Sequence, residues 1–134
     1  MSKRKVSVLV PYRIENNSVY IFLQKRSKDA KRAPGFFGFF GGGAEEGETP
    51  EQALLREIKE ELDYNLKSFD FFNKYETENV LMDLFTLKVD DNFEKEIKVL
   101  DGDYGKWFDE ETFLKEKNLI MGDILILEEL YEKL

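Results

Sequence analysis

Short runs of β-branched and aromatic residues alternate with turn-forming residues in the first part of the chain. Residues 6–10 (VSVLV) and 19–23 (VYIFL) are two such runs, and the polar cluster 15–18 (ENNS) separates them. Runs of this kind, bounded by Asn and Ser, are typical of paired strands. Residues 69–75 and 80–89 have the same character and flank polar residues 76–79. The pattern therefore predicts two pairs of strands.

A long helix is predicted between these strand pairs. Thr49 suits the N-cap, Pro50 the first helical position, and Gln52 the return contact of a capping box. Apolar residues then recur at helical spacing and predict one buried face: Leu54, Leu55, Ile58 and Leu62. We expect this helix to end near residues 63–65. Two shorter helices are predicted later, over 109–117 and after Asp123, which would be an N-cap.

The order of these elements indicates the class of fold. Strands, one long helix, further strands and terminal helices are typical of a mixed sheet with helices on its faces. Residues 25–35 are polar and contain Pro34–Gly35, which predicts a loop. At 134 residues, the chain is expected to form one domain over 1–134.

Composition narrows the chemistry that this chain can perform. It has no Cys and no His, which excludes thiolate nucleophiles, imidazole bases and zinc sites built from those residues. A metal site must use oxygen ligands, which favours Mg²⁺, Mn²⁺ or Ca²⁺. The formal charge of −8 argues against a nucleic-acid polymer as partner and suits a small-molecule ligand.

The same residues give no indication of a membrane partner. No apolar run approaches the about 18 residues of a membrane-spanning helix, and the basic N-terminus lacks the apolar stretch of a signal peptide. A cytoplasmic location is therefore expected by default. The sequence favours neither a monomer nor a homodimer.

The predicted helix carries a group of glutamates on one side. Glu57, Glu60 and Glu61 stand at i, i+3 and i+4, and together they span about 100° of the helix circumference. Such charge runs are usually solvent-exposed faces. Their mutual repulsion costs a few tenths of a kcal/mol, which a divalent cation would convert into attraction. The helix alone leaves both interpretations open.

The residues around these glutamates follow a longer pattern. Gly42 is followed by Glu48, Arg56 and Glu57 with the spacing G-x5-E-x7-R-E-I-x-E-E. Segment 42–64 resembles the Nudix box, G-x5-E-x7-R-E-U-x-E-E-x-G-U, in which U is a large aliphatic residue. All six fixed Gly, Glu and Arg positions up to Glu61 match.

Three positions depart from the family pattern. Asp63 replaces the last Gly of the box, Tyr64 replaces its final aliphatic residue, and Phe40 replaces a Pro that commonly precedes it. The family Gly ends the helix in a left-handed conformation, which Asp can also adopt at modest cost. We therefore expect a slightly strained helix end at Asp63 and an intact site.

The resemblance implies a fold and a set of catalytic residues. The fold is an α/β (α+β) Nudix-like α/β/α sandwich with a mixed β-sheet and a catalytic loop-helix-loop. Mg²⁺ or Mn²⁺ would be held by the three motif glutamates and the carbonyl of Gly41. Glu57 matches the glutamate that acts as base or orients the attacking water, and Arg56 would brace the loop by pairing with Glu48. The implied catalytic set is Glu48, Arg56, Glu57, Glu60 and Glu61.

Candidate phosphate and base contacts lie before the box. Lys25 and Arg26 end a predicted strand and begin a segment with five basic residues in eight positions. They could receive a phosphate, or they could be solvated loop charges. A base could stack on one of the phenylalanines that follow, or these could fill the core: Phe36, Phe37, Phe39 and Phe40. Phe37 is the candidate chosen among them.

Two acidic residues after the box are further candidates. Asp101 lies six residues before Trp107, and its position resembles that of a fourth metal-site acid in MutT-type enzymes. Its alternative is a turn-forming role. Asp123 stands where such enzymes often place a polar group that reads the purine edge, and its alternative is a plain N-cap.

The resemblance implies metal-dependent hydrolysis, by a metal-activated water, of a pyrophosphate bond in a nucleoside diphosphate linked to a moiety X. Residues 48–53 are similar to the MutT-type helix entry. They favour cleavage of a nucleoside triphosphate, an oxidised one included, to the monophosphate and pyrophosphate, as in nucleotide housecleaning. Alternatives are hydrolysis of nucleotide sugars, ADP-ribose or dinucleoside polyphosphates, and a non-catalytic nucleotide-binding sensor domain.

Overall fold

The computed structural model describes residues 3–134. Within that range seven strands form one mixed sheet: β1 (Arg4–Glu15), β2 (Ser18–Lys25), β3 (Phe37–Gly38), β4 (Phe40–Gly43), β5 (Asp70–Glu76), β6 (Val80–Lys88) and β7 (Tyr104–Phe108). The helices are α1 (Pro50–Leu62), α2 (Phe93–Glu96), α3 (Glu110–Lys115) and α4 (Ile124–Lys133), and a 3₁₀ turn (Met121–Asp123) precedes α4. None of the helices in this range is long and apolar enough to cross a bilayer.

Strand β1 organises the sheet. It pairs in parallel with β6, and it pairs antiparallel with β4 through its first half and with β2 through its last residues. Strand β5 lies outside β6, while β3 and β7 both pair with β2. Because β4 pairs with β1 just before the loop to α1, the sheet holds the glycine-rich segment beside that helix.

Alternate residues of the central strands fill a core on each face of the sheet. In β1, Val8 and Val10 pack towards α3 and α4, and Leu9 packs towards α1. Successive side chains of a strand point to opposite faces. The same alternation separates Ile21 and Leu23 from Phe22, and Leu84 from Phe85. The predicted mixed sheet with helices on both faces is confirmed.

Helix α1 begins as its capping signals predict. The Thr49 hydroxyl accepts a hydrogen bond from the Gln52 N–H at 3.1 Å, and the Gln52 side chain accepts one from the Thr49 N–H at 2.9 Å. Three residues one turn apart are fully buried: Leu54, Ile58 and Leu62. The prediction that Leu55 shares this face is wrong, because it lies about 100° from Leu54 and is 40% exposed.

The helix ends in the left-handed conformation expected at Asp63. The residue has φ 49° and ψ 42°, and its N–H donates to the Lys59 carbonyl at 3.1 Å. Its carboxylate also accepts a hydrogen bond from the Lys59 ammonium at 2.9 Å. The last carbonyls of α1 then accept the N–H groups of Lys98 and Leu100. These contacts fix the segment that leads into residues 101–103 beside the helix.

Candidate active site

Arg56 holds the loop before α1 against the helix. Its Nε and Nη2 donate to the two carboxylate oxygens of Glu48 at 2.8 and 3.0 Å, and Nη2 also donates to the Gly43 carbonyl at 2.9 Å. Glu48 further accepts the Glu45 N–H at 2.7 Å. These hydrogen bonds, that of Arg56 above all, lower the pKa of Glu48 to about 2. The pair is therefore ionised at neutral pH.

Glu57 extends from α1 towards the glycines of β4. Its Oε1 accepts a hydrogen bond from Arg56 Nη1 at 3.0 Å, and its side chain is only 15% exposed. A Cβ atom on Gly42 would lie 2.8 Å from the Glu57 carboxyl carbon. Glycine at position 42 therefore makes room for this carboxylate. Burial raises the pKa of Glu57, and the hydrogen bond and charge of Arg56 oppose that rise.

Glu61 lies one turn later and is buried next to β4. Its side chain accepts the Gly41 N–H at 2.7 Å. Burial raises its pKa to about 8; the Gly41 hydrogen bond opposes the rise, and the charges of Glu57 and Asp101 add to it. A cation at this point would stabilise the ionised carboxylate. The chemistry of the donors thus fits a divalent ion that prefers oxygen ligands.

Glu60 is placed differently from the other two motif glutamates. Its side chain is 58% exposed and lies 3.4 Å from Arg56 Nη1. Among residues 3–134, no three acidic side chains are grouped closely enough to hold a metal ion as they stand. The side chain of Glu60 would have to rotate to join Glu57 and Glu61 on a shared ion.

A cleft of about 470 Å³ opens beside Glu61. Its apolar side chains are those of Val6, Val8, Ala33, Phe39, Val80, Met82 and Ile120. Its charged lining, besides Glu61, consists of Arg4, Arg26, Arg32, Asp101 and Asp123. Such a lining suits a ligand with one flat apolar part and one charged part. A separate polar recess of about 510 Å³ at the end of α1 includes none of the motif glutamates.

The structure places both predicted acidic candidates in the cleft. The main-chain carbonyl of Asp101 accepts a hydrogen bond from the Gln24 side chain at 2.7 Å. Asp123 has helical backbone angles within the 3₁₀ turn, and its carboxylate makes no capping hydrogen bond to α4. Asp123 therefore stands at the predicted N-cap position of α4, but it lacks the extended backbone and the side-chain hydrogen bond of a stabilising cap. Burial raises the pKa of Asp123 to about 6.

The candidates near the end of β2 are divided between the cleft and the core. Arg26 lines the cleft. Phe37 is 4% exposed and packs edge-on against Phe108, with ring centroids 5.0 Å apart. The Lys25 ammonium lies 4.7 Å from the Phe37 ring centroid and donates to a loop carbonyl. Phe37 is thus a core residue, and the aromatic ring that lines the cleft belongs to Phe39.

Sequence reasoning missed Arg4 as a cleft residue. Arg4 begins β1, two residues before Val6 and four before Val8, and all three line the cleft. The strand alternation that places Val6 and Val8 on one face was the available signal. It could identify Arg4 only once the pairing of β1 with β4 was known.

Comparison with known proteins agrees with this geometry. The family model described as "NUDIX domain" matches residues 2–129. The chain is 42% identical over 78 residues to the 8-oxo-dGTP diphosphatase of Escherichia coli (strain K12), covering 58% of this chain and 57% of that protein. It is 44% identical over 64 residues to the nucleoside triphosphatase NudI of Enterobacter sp. (strain 638), covering 48% and 44%. The chain thus spans about half the length of these curated relatives.

Solved structures share the fold at lower identity. One from a study of MutT from Aliivibrio salmonicida and Vibrio cholerae has a TM-score of 0.78 and 19% identity, covering 99% of this chain and 100% of that chain. The NUDIX domain of Shewanella oneidensis NrtR, complexed with ADP ribose, has a TM-score of 0.76 and 15% identity, covering 99% and 89%. These likenesses establish the fold alone. Because the NUDIX domain match covers nearly the whole sequence, the chain belongs to the Nudix family.

Proposed function

We propose that this protein is a single-domain Nudix pyrophosphohydrolase that cleaves a nucleoside triphosphate to the monophosphate and pyrophosphate. The observation that carries the proposal is the placement of Glu57 and Glu61 against Gly41 and Gly42, with Glu61 lining a cleft that also contains guanidinium groups. Carboxylates that hold a cation and arginines that bind anions are the two requirements of a metal–polyphosphate ligand.

Nudix hydrolases generally require a divalent metal ion. We assign Glu57, Glu60 and Glu61 as the residues that would hold Mg²⁺ or Mn²⁺, with Gly41 and Asp101 as further ligands. When bound, such an ion neutralises phosphate charge and lowers the pKa of a coordinated water. The carboxylate chemistry and the shared position of Glu61 and Asp101 in the cleft support this assignment.

Glu57 has the proposed role of base or of orienting group for the attacking water. The hydrogen bond from Arg56 fixes one of its carboxylate oxygens, and Arg56 is itself held by Glu48 and the Gly43 carbonyl. Arg56 and Glu48 therefore act as positioning residues in the proposed site. Orientation of this kind supplies a large part of the catalysis in phosphoryl transfer.

The cleft lining supports a small nucleotide as substrate. The apolar floor would receive a base, Asp123 would contact the edge of that base, and Arg26 would contact phosphate. The names of the relatives, an 8-oxo-dGTP diphosphatase and a nucleoside triphosphatase, favour a triphosphate, an oxidised purine nucleotide included. Such an enzyme would act in nucleotide housecleaning, and we place it in the cytoplasm.

A second candidate is an ADP-ribose-type substrate or ligand. It is favoured by the fold similarity to the NUDIX domain of NrtR, which was solved with ADP ribose bound. In this alternative the protein would hydrolyse ADP-ribose or would bind it as a non-catalytic sensor. The complete set of motif glutamates favours catalysis over sensing.

A substrate panel distinguishes these functions. The protein is incubated with Mg²⁺ or Mn²⁺ and with ordinary and oxidised triphosphates, ADP-ribose, nucleotide sugars and dinucleoside polyphosphates, and the products are separated by anion exchange. Metal-dependent release of pyrophosphate from triphosphates is the expected result. Turnover confined to the other compounds would show that the substrate is not a triphosphate and would identify its class. Tight nucleotide binding without any turnover would favour the sensor.

A further inference from the structure

Three arginines line the cleft of a strongly acidic protein. Arg4, Arg26 and Arg32 all border it, although the chain carries a net charge of −8. Over residues 3–134, salt bridges within 4.0 Å involve other cationic side chains and none of these three. The guanidinium of Arg26 donates instead to the main-chain carbonyl of Arg32 at 2.7 Å. The arginines are therefore free to bind an anion from solution.

Arg4 and Arg32 both line the cleft, Arg4 from the start of β1 and Arg32 from the loop after β2. Burial and the neighbouring charge of Arg32 lower the pKa of Arg4, and the charge of Glu57 opposes them. Arg4 also lies over β4, because a Cβ atom on Gly43 would stand 3.5 Å from its Nη2. Arg4 and Glu57 thus both lie against β4, at Gly43 and Gly42 respectively.

Two guanidinium groups that line one cleft and make no salt bridge within the described residues can bind one anion together. Each offers a planar set of N–H donors that matches phosphate oxygens. A terminal phosphate is the suitable ligand, because it carries up to two charges and three free oxygens at neutral pH. An internal phosphate that is esterified on both sides carries one charge and offers fewer oxygens.

We propose that Arg4 and Arg32 clamp the terminal phosphate of a nucleoside triphosphate and so select triphosphates over nucleotides whose outer phosphate is esterified. The inference rests on the proposed function and deepens it by naming the two residues that would select triphosphates. Arg4 would hold the phosphate from the sheet, and Arg32 would hold it from the loop after β2. The outer phosphate would then lie in the cleft that Glu61 also lines and would leave as part of the pyrophosphate.

Binding measurements test the clamp without requiring turnover. In a Glu57→Gln background, the Kd of dGTP and of ADP-ribose is measured by titration calorimetry, with and without Mg²⁺, for Arg4→Gln and Arg32→Gln. Matched controls are Lys5→Gln and Lys31→Gln, which remove the same charge from adjacent residues that do not line the cleft. Thermal unfolding of each variant confirms that it is folded.

The clamp predicts that each arginine variant weakens dGTP binding by roughly 10- to 100-fold, the loss of one or two charge-assisted hydrogen bonds. It predicts a change of under about twofold for ADP-ribose and for the lysine controls, and an intermediate loss for Arg4→Lys. Equal losses for dGTP and ADP-ribose, unchanged dGTP binding, or a parent that does not bind dGTP would overturn it.

The outcome is separable from that of the proposed function. If the unmodified enzyme fails to hydrolyse triphosphates but the arginine variants lose dGTP binding selectively, the clamp stands and the proposed hydrolysis fails. If hydrolysis proceeds and dGTP binding is unaffected by both substitutions, only the clamp fails.

Discussion

The guanidinium of Arg56 contacts Glu48 and Glu57 at the same time. Its Nε and Nη2 bind the two oxygens of Glu48, and its Nη1 lies 3.0 Å from Glu57 Oε1. One side chain thus ties the loop before α1 to the carboxylate that we propose as base or water-orienting group. The contact links the stability of the loop to the position of Glu57.

The Glu48–Arg56 pair predicts how stability responds to acid. The folded-state pKa of Glu48 is about 2, below its ordinary value of 4.5. As the pH falls, Glu48 therefore becomes protonated in the unfolded chain before it does in the folded protein. The contribution of the pair to stability is complete above pH 4.5 and is lost as the pH approaches 2. Urea unfolding of the parent and Glu48→Gln should differ at pH 6 and converge near pH 2. A constant difference in stability at every pH would show that the charge of Glu48 does not cause the pH dependence.

The two glycines next to the glutamates should respond differently to alanine. At Gly42 a Cβ atom would meet the Glu57 carboxyl group at 2.8 Å, the mobile end of a side chain. At Gly41, where φ is 131°, it would overlap the Ser7 carbonyl oxygen, which the sheet fixes. Gly42→Ala should keep the melting temperature within a few degrees and reduce kcat by on the order of 10²-fold.

Gly41→Ala provides the contrast. It should lower the melting temperature strongly, because neither the backbone angle nor the sheet can accommodate the added atom. Circular dichroism melts and steady-state rates on both variants make the comparison. Full activity in Gly42→Ala would show that catalysis does not require the observed position of the Glu57 carboxylate.

Glu61 predicts coupling between metal binding and protons. Its folded-state pKa of about 8 lies above its ordinary value of 4.5, so between these pH values the folded state keeps a proton that the unfolded chain releases. Without metal, the contribution of this group to stability should therefore fall as pH rises from about 5 to 8. Since a ligand carboxylate must be ionised, Mn²⁺ binding should tighten over the same range and release a proton.

Calorimetry at pH 7 in two buffers of different ionisation enthalpy measures that proton. The observed heat of Mn²⁺ binding should depend on the buffer in the parent and much less in Glu61→Gln, which retains an acceptor for the Gly41 N–H. Identical buffer dependence in both proteins would exclude Glu61 as the source of the proton.

The parts of the fold that depend on neighbouring residues along the chain were predictable. Thr49, Pro50 and Gln52 define the start of α1 because capping is a contact over three residues. Asp63 could likewise be assigned a left-handed helix end from its position in the motif. The runs of β-branched and aromatic residues at 6–10 and 19–23 likewise predicted the pairing of β1 with β2.

Cleft residues were less predictable because they depend on pairing between distant strands. Phe37 and Phe39 lie two residues apart, and their local sequence does not distinguish the core position from the cleft position. Arg4 reaches the cleft only because β1 pairs with β4. Asp123 carries the residue type of an N-cap, but the 3₁₀ turn gives it helical backbone angles and leaves its carboxylate in the cleft.

The central claim is that Glu57 takes part in metal-dependent pyrophosphate hydrolysis, and its most direct test compares two substitutions on α1. Glu57→Gln removes the proposed catalytic carboxylate. Glu51→Gln makes the same chemical change in the exposed first turn of the helix. Release of pyrophosphate from a triphosphate is followed with Mg²⁺ for both variants and the parent, together with their thermal unfolding.

We expect Glu57→Gln to unfold within a few degrees of the parent and to lose hydrolysis by on the order of 10²-fold or more, in keeping with the loss of a general base. Glu51→Gln should retain the activity of the parent. Equal turnover by parent and Glu57→Gln, with both proteins folded, would contradict the proposed role of Glu57.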